Sequence, residues 1–146
     1  MISVSTRFRV RYAETDGQRV AHHAAYPVWF EMGRADLVRA LGFDYGAMER
    51  AGTFMVVVEL KVRYRKPVRY DEELELETRV VDIGRASMRV AYRLCRAGAE
   101  VATGETVMVM VGTDGRPIPV PDAWREALGE AGSAGWKGDA PPPDLA

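Results

Sequence analysis

Residues 25–41 have the pattern of a helix that is apolar on nearly every side. Spacings of three and four residues place one set of side chains on a single face: Tyr26, Trp29, Phe30, Gly33, Leu37, Ala40 and Leu41. The opposite face carries charges, but four apolar residues lie between them: Val28, Met32, Ala35 and Val38. A helix of this kind is usually buried on most sides, so the rest of the chain has to cover it.

The sequence also marks both ends of this helix. Pro27 suits the first turn, where the N–H group that proline lacks would have had no partner, so we expect the helix to begin near Ala24 or Ala25. Gly42 is expected to end it. Backbone N–H groups at a helix start are unpaired, and the helix dipole is positive there. This end is therefore suited to an oxyanion or a polarised carbonyl.

The most concentrated polar chemistry lies directly before the helix. Asp16 forms an Asp-Gly pair with Gly17, which is typical of a turn, and His22 and His23 immediately precede the expected helix start. A carboxylate held beside unpaired N–H groups suggests acyl-transfer chemistry, although the pair also fits a turn without a catalytic role. Neighbouring histidines seldom bind one ion, and the chain has no third His, so we expect no metal site.

Alternating apolar and polar residues predict strands in the rest of the chain, at residues 6–12, 54–65, 74–80, 86–94 and 100–111. Short turns join the last strands, which favours an antiparallel sheet with the helix packed on one face, an α+β fold. Asp44 is expected to cap a short helix over residues 45–50. Residues 122–128 are expected to form another short helix.

Composition and charge limit the function classes. The chain has 146 residues, 47% of them hydrophobic, which fits one domain, expected over residues 1–128. Residues 129–146 are rich in Gly, Ala and Pro and predict a disordered tail. A net charge of −1 gives no basic field for nucleic acid or an anionic membrane. No stretch predicts a signal peptide or a membrane span, so we expect a cytoplasmic protein.

The polar block and the helix together resemble the signature of the hotdog-fold acyl-CoA thioesterases. The matching residues are Thr15, Asp16, His23, Tyr26, Glu31 and Arg34. The likeness continues through residues 64–68 to residues 115–117, and it covers roughly residues 6 to 121. The nearest groups are those related to 4-hydroxybenzoyl-CoA thioesterase and to the thioesterase associated with the Tol-Pal system.

The resemblance implies a five-stranded antiparallel sheet wrapped around one long central helix. It also implies that Asp16 is the catalytic carboxylate, and that the backbone N–H of His23, with its imidazole in some members, acts on the thioester carbonyl. No cofactor is expected, because coenzyme A is part of the substrate. The family's site lies between two subunits, so a homodimer or homotetramer is implied. One position departs from the family: Arg19 stands where glycine is usual, and the loop has to accommodate it.

Substrate contacts are predicted at Tyr26, Arg63, Arg65 and Lys66. The basic residues, together with Arg69, could hold the phosphates of coenzyme A. Solvated ion pairs with Glu75 and Glu77 explain them equally well, and Tyr26 could belong to the core instead of the acyl pocket.

Two carboxylates and the single cysteine compete with Asp16 for a catalytic role, and each has a simpler explanation. Glu31 is expected to pair with Arg34 on the helix surface, and Glu59 with neighbouring cations in its strand. Cys95 has no evident His or Asn partner nearby in sequence, so a nucleophilic role is not expected. Two other functions stay open: a binding module for acyl-CoA or acyl carrier protein that performs no turnover, and a hotdog hydratase.

Overall fold

The computed structural model describes residues 3–128, in which five strands form one antiparallel sheet. The strands are β1 (Ser3–Arg9), β2 (Phe54–Tyr64), β3 (Glu73–Ile83), β4 (Ser87–Arg96) and β5 (Ala99–Val111), in the spatial order β1-β3-β4-β5-β2. The helices are α1 (Ala25–Ala40), α2 (Tyr45–Arg50) and α3 (Asp122–Leu128). This architecture confirms the predicted α+β fold. The predicted tail, residues 129–146, lies outside the described residues.

Helix α1 packs very closely on one face of the sheet. Phe30 is fully buried and stacks parallel to Tyr92 of β4, with ring centroids 4.2 Å apart. A Cβ atom added to Gly104 of β5 would overlap the Phe30 ring, and one added to Gly33 of α1 would overlap the Thr78 hydroxyl of β3. Glycine at these two positions therefore allows the helix and the sheet to approach, which fixes the height of α1 above the sheet.

The ends of the helices agree with their sequence signals. Helix α1 begins at Ala25, and Gly42 beyond its end has a φ of +88°, a conformation that glycine adopts without strain. The carboxylate of Asp44 accepts a hydrogen bond from the Ala47 N–H at 2.9 Å and caps α2. Local chemistry therefore sets the lengths of both helices.

The first strand begins and ends three residues earlier than its alternation predicts. β1 ends at Arg9, whereas a strand over residues 6–12 was expected. Val10 is still buried and exchanges backbone hydrogen bonds with the loop before β3, and residues Tyr12–Glu14 then form a 3₁₀ turn. Val10 therefore continues the buried side of β1 for one position, whereas Tyr12, the next residue of the alternating pattern, is 78% exposed.

Strand β2 has an exposed apolar surface that the sequence pattern did not predict. Among the strands of residues 3–128 it lies at the edge of the sheet and pairs only with β5. Several of its large apolar side chains are 41–54% exposed: Val56, Val57, Val58, Leu60 and Tyr64. An apolar edge strand is normally covered by another part of the protein or by a partner.

We predict that Gly104→Ala lowers the stability of the protein by about 1–3 kcal/mol, because the new methyl group meets the Phe30 ring and the Lys61 carbonyl. Urea denaturation measures the change. Gly17→Ala is the control, since nothing lies within 4 Å of its added Cβ. Equal losses in the two variants would contradict the proposed role of Gly104.

Candidate active site

The segment before α1 folds into a tight loop that brings Asp16 back to the helix start. The Asp16 N–H donates to the Val20 carbonyl at 2.9 Å, and the Arg19 N–H donates to the Asp16 carbonyl at 3.0 Å. One carboxylate oxygen of Asp16 accepts from the Gln18 N–H at 2.8 Å. Asp16 is neither fully buried nor fully exposed, so its carboxylate is held by the turn and still reaches solvent.

Arg19 occupies the position where the resembled family has glycine, and its backbone explains that preference. Its φ is +64°, in the left-handed region that side chains disfavour. The exposed Arg19 therefore adopts the backbone conformation that a glycine would adopt easily, and the loop closes despite the substitution.

His22 orders the turn before α1 through three hydrogen bonds. Its own N–H donates to the Glu14 carbonyl at 2.7 Å, the Ala24 N–H donates to its Nδ1 at 3.0 Å, and the Ala25 N–H donates to its carbonyl at 2.9 Å. Within residues 3–128, the His23 N–H donates no hydrogen bond. The His23 N–H is therefore a donor at this end of the helix that is available to a ligand.

A cleft of about 330 Å³ joins the loop, the helix start and the end of β2. Its walls are Asp16, Val20, Ala21, His23, Tyr26, Tyr64, Arg65, Lys66 and Pro67. Five of the six predicted site residues thus meet in one place. The sixth, Arg63, does not line the cleft: it neighbours Tyr64 in β2, whose side chain lies on the helix side, so Arg63 lies on the opposite face.

Tyr64 connects the edge strand to the helix start. Its hydroxyl donates to the His23 carbonyl at 2.7 Å, and its ring meets Tyr26 edge-on with centroids 4.8 Å apart. Burial raises the pKa of Tyr26, and the nearby Tyr64 raises it further against a smaller opposing effect of Arg96. Burial also raises the pKa of Tyr64. Both hydroxyls are therefore protonated at neutral pH.

The basic residues near the cleft differ in their ion pairs. Arg65 does form an ion pair, but its partner is the buried carboxylate of Glu100 at 3.0 Å and not the solvated Glu75 or Glu77. Of the expected partners, Glu75 instead pairs with Arg7 at 3.2 Å. Within residues 3–128, no carboxylate oxygen lies within 4.0 Å of the Lys66 amine. Lys66 is therefore the less neutralised cation of the two in the cleft.

The expected surface pair between Glu31 and Arg34 does not form. Arg34 is only 8% exposed and donates to the Tyr92 hydroxyl at 3.1 Å, and Tyr92 also shares a hydrogen bond with Thr106. The guanidinium turns under α1 towards the sheet, while Glu31 stays exposed. Helical spacing alone could not reveal this contact, because Tyr92 is 58 positions away along the chain.

Two residues of the site were missed by the sequence patterns. Tyr64 lies within residues 64–68 of the family resemblance, but no role in the site was predicted for it. Glu14 was not singled out at all. No sequence signature marks it: the Glu14 carboxylate accepts from the Arg11 N–H at 2.7 Å, but a capping box has Ser or Thr at the position that Arg11 occupies.

Other kinds of site find little support within residues 3–128. No cluster of three or more His, Cys, Asp or Glu side chains there could hold a metal ion. Cys95 is buried, and burial raises the pKa of its thiol. That part of the chain also contains no helix with the length and apolarity that crossing a bilayer requires.

Comparisons with known proteins define the family. The model of the thioesterase-like superfamily matches residues 10–128. The structure of DHNA-CoA thioesterase from Staphylococcus aureus superposes with a TM-score of 0.85 at 33% identity, over 91% of this chain and 93% of that one. Bacillus subtilis YneP is 36% identical over 97 residues, 66% of this chain and 70% of YneP. Acyl-CoA thioester hydrolase YbgC of Escherichia coli O157:H7 is 28% identical over 102 residues, 70% of this chain and 76% of YbgC.

The chain belongs to the thioesterase-like superfamily. Its fold is the hotdog fold of those thioesterases, and the predicted enzyme class, a thioester hydrolase, is confirmed at the level of the family. The matched region contains all six predicted site residues. Their individual roles stay predictions.

We predict that Arg19→Gly raises the stability by about 1 kcal/mol, because glycine adopts the left-handed conformation without the strain that a Cβ atom introduces. Urea denaturation again provides the measurement. Arg85→Gly is the matched control, since Arg85 is exposed and is not among the residues with positive φ. This control should lose stability, and a gain in both variants would contradict the explanation.

Proposed function

We propose that the protein hydrolyses an acyl-CoA thioester to a free acid and coenzyme A. The observation that carries this proposal is that the Asp16 carboxylate and the start of α1 line the same cleft. In the proposed complex, the thioester oxygen accepts a hydrogen bond from the His23 N–H. The positive end of the helix dipole favours the negative charge that develops on this oxygen.

Asp16 supplies the basic or nucleophilic group. In one route its carboxylate takes a proton from water, the water oxygen bonds to the acyl carbon, and the carbon–sulfur bond breaks. In the other route the carboxylate attacks the acyl carbon and the carbon–sulfur bond breaks. Water then hydrolyses the mixed anhydride, which releases the acid and regenerates the carboxylate. The coenzyme A thiolate leaves readily in either route and is neutralised by the proton that the reacting water supplies, so the site needs no separate acid.

Lys66 is the best candidate for the coenzyme A phosphates, because it lines the cleft and has no close carboxylate within residues 3–128. Arg65 lines the cleft too, but its guanidinium is already paired with the Glu100 carboxylate. Arg63 lies on the other face of the sheet, which weakens the case for its predicted role. Tyr26 forms the wall nearest the acyl group in this proposal.

The identity of the acyl group can be tested with a panel of thioester substrates. The Staphylococcus aureus relative is a DHNA-CoA thioesterase, and the Synechococcus elongatus relative, 25% identical, is a 1,4-dihydroxy-2-naphthoyl-CoA hydrolase. A substrate panel should therefore contain hydroxyaromatic thioesters beside aliphatic ones. The Tyr26 and Tyr64 rings at the cleft are compatible with either class.

We predict that Asp16→Asn lowers kcat for thiol release at least about 100-fold and leaves KM within about threefold, because the amide neither accepts the proton nor attacks. Glu31→Gln, which removes an exposed carboxylate from α1 outside the cleft, should keep full activity. A wild-type protein that releases no thiol from any acyl-CoA would rule out the proposal. Loss of acyl-CoA binding instead of turnover in Asp16→Asn would favour a binding module, and hydration of an unsaturated acyl-CoA without thiol release would favour a hydratase.

We further propose that a second copy of the chain covers strand β2. The strand is 11 residues long, has one edge that no other strand of residues 3–128 pairs with, and exposes the apolar side chains described above. Pairing of two β2 edges would join the sheets and bury these side chains in one step. The cleft lies at the end of this strand, so a second copy would border the site, as the family resemblance implies.

We predict that the protein sediments as a dimer or tetramer, and that Val58→Lys converts it to a monomer. Val58 is 54% exposed in β2, and a charge there would be desolvated by the partner. Ala99→Lys places the same charge at an exposed position in β5 and should leave the assembly unchanged. Sedimentation equilibrium distinguishes these outcomes, and a monomeric wild-type protein would contradict the proposed assembly.

A further inference from the structure

Glu14 is a buried carboxylate that the proposed chemistry does not use. It is only 9% exposed and lies two residues before Asp16, at the end of the 3₁₀ turn. Removing a carboxylate from water is unfavourable unless hydrogen bonds compensate for the lost hydration. The partners of Glu14 therefore indicate why a charge is kept there.

The side chain of Glu14 joins the loop to the interior of α1. One carboxylate oxygen accepts from the Arg11 N–H at 2.7 Å. The other accepts from the indole N–H of Trp29 at 2.6 Å and lies 3.4 Å from the Arg11 guanidinium. Trp29 is fully buried between Phe8 and Tyr26, so this anchor on the helix is rigid.

The backbone of Glu14 contacts the turn that carries the His23 N–H. Its carbonyl accepts the His22 N–H at 2.7 Å, one residue before the available His23 N–H. Asp16 follows only two residues later, which keeps their Cα atoms within about 7.6 Å. One residue is thus bonded to α1, to the turn before His23 and, through the chain, to Asp16.

We propose that Glu14 is a positioning residue that fixes the Asp16 carboxylate relative to the His23 N–H. Its effect on rate rests on the proposed thioester hydrolysis, whereas its effect on geometry does not. A glutamine cannot replace it, because an amide has one acceptor oxygen and the site presents donors to both. A shift of about 1 Å between reacting groups can cost about 100-fold in rate.

The kinetic test compares Glu14→Gln with a matched control. Glu14→Gln should lower kcat about 10- to 100-fold and change KM less than about threefold, since Lys66 and Tyr26 are untouched. The control is Asp36→Asn, which weakens a similar tie between β1 and α1: Asp36 accepts from the Thr6 hydroxyl at 2.5 Å. The control should lower the melting temperature and keep kcat. An unchanged kcat in Glu14→Gln, or an equal loss in both variants, would overturn the inference.

A second variant keeps the test valid if Glu14→Gln folds poorly. Trp29→Phe removes the indole donor, so it should lower kcat by a similar factor. The double variant should show the same loss as either single variant, because both changes break one contact. Losses that multiply in the double variant would count against positioning through Trp29.

A readout without activity separates this inference from the proposed function. Amide hydrogen exchange at His22 should be faster in Glu14→Gln, and the NMR resonance of the Trp29 indole N–H should shift, while Asp36→Asn leaves both unchanged. Unchanged signals in Glu14→Gln would overturn the positioning role whatever the protein hydrolyses. Changed signals in a protein that releases no thiol would reject the proposed function and keep the geometric role of Glu14.

Discussion

The close contact between α1 and the sheet is the constraint on which the rest of the structure depends. Phe30 lies flat on Tyr92, and the sheet beneath it has room for the ring only because residue 104 is glycine. This contact sets the position of the helix, and therefore the position of its first turn. The cleft exists because the loop before α1 and the end of β2 both meet that turn.

The sequence was informative wherever neighbouring residues determine the structure. Pro27, Gly42 and Asp44 marked the helix boundaries correctly, because capping and left-handed termination are local effects. The strands were found for the same reason, since alternation is a property of short segments. The block around Asp16 and His23 also came together as expected, because only seven positions separate the two residues and a turn joins them.

The sequence failed where distant contacts decide the outcome. Nothing near Arg34 indicates that its guanidinium reaches Tyr92 on β4 instead of Glu31 on its own helix. Alternation in β2 correctly predicted a strand, but it could not show that the strand lies at an edge with its apolar side chains uncovered. Arg65 likewise pairs with Glu100, which the sheet topology brings close and the sequence does not.

The peptide group between His22 and His23 has a consequence for how the site responds to change. Its oxygen already accepts the Ala25 N–H, and a hydrogen bond at the oxygen of a peptide draws electrons away from the nitrogen of the same peptide. The remaining N–H is therefore a stronger donor than an isolated amide would be. Loosening the first turn of the helix would weaken this donor without altering any atom that a bound molecule touches. The donor strength of the His23 N–H therefore depends on how well the Ala25 N–H keeps its hydrogen bond to the His22 carbonyl.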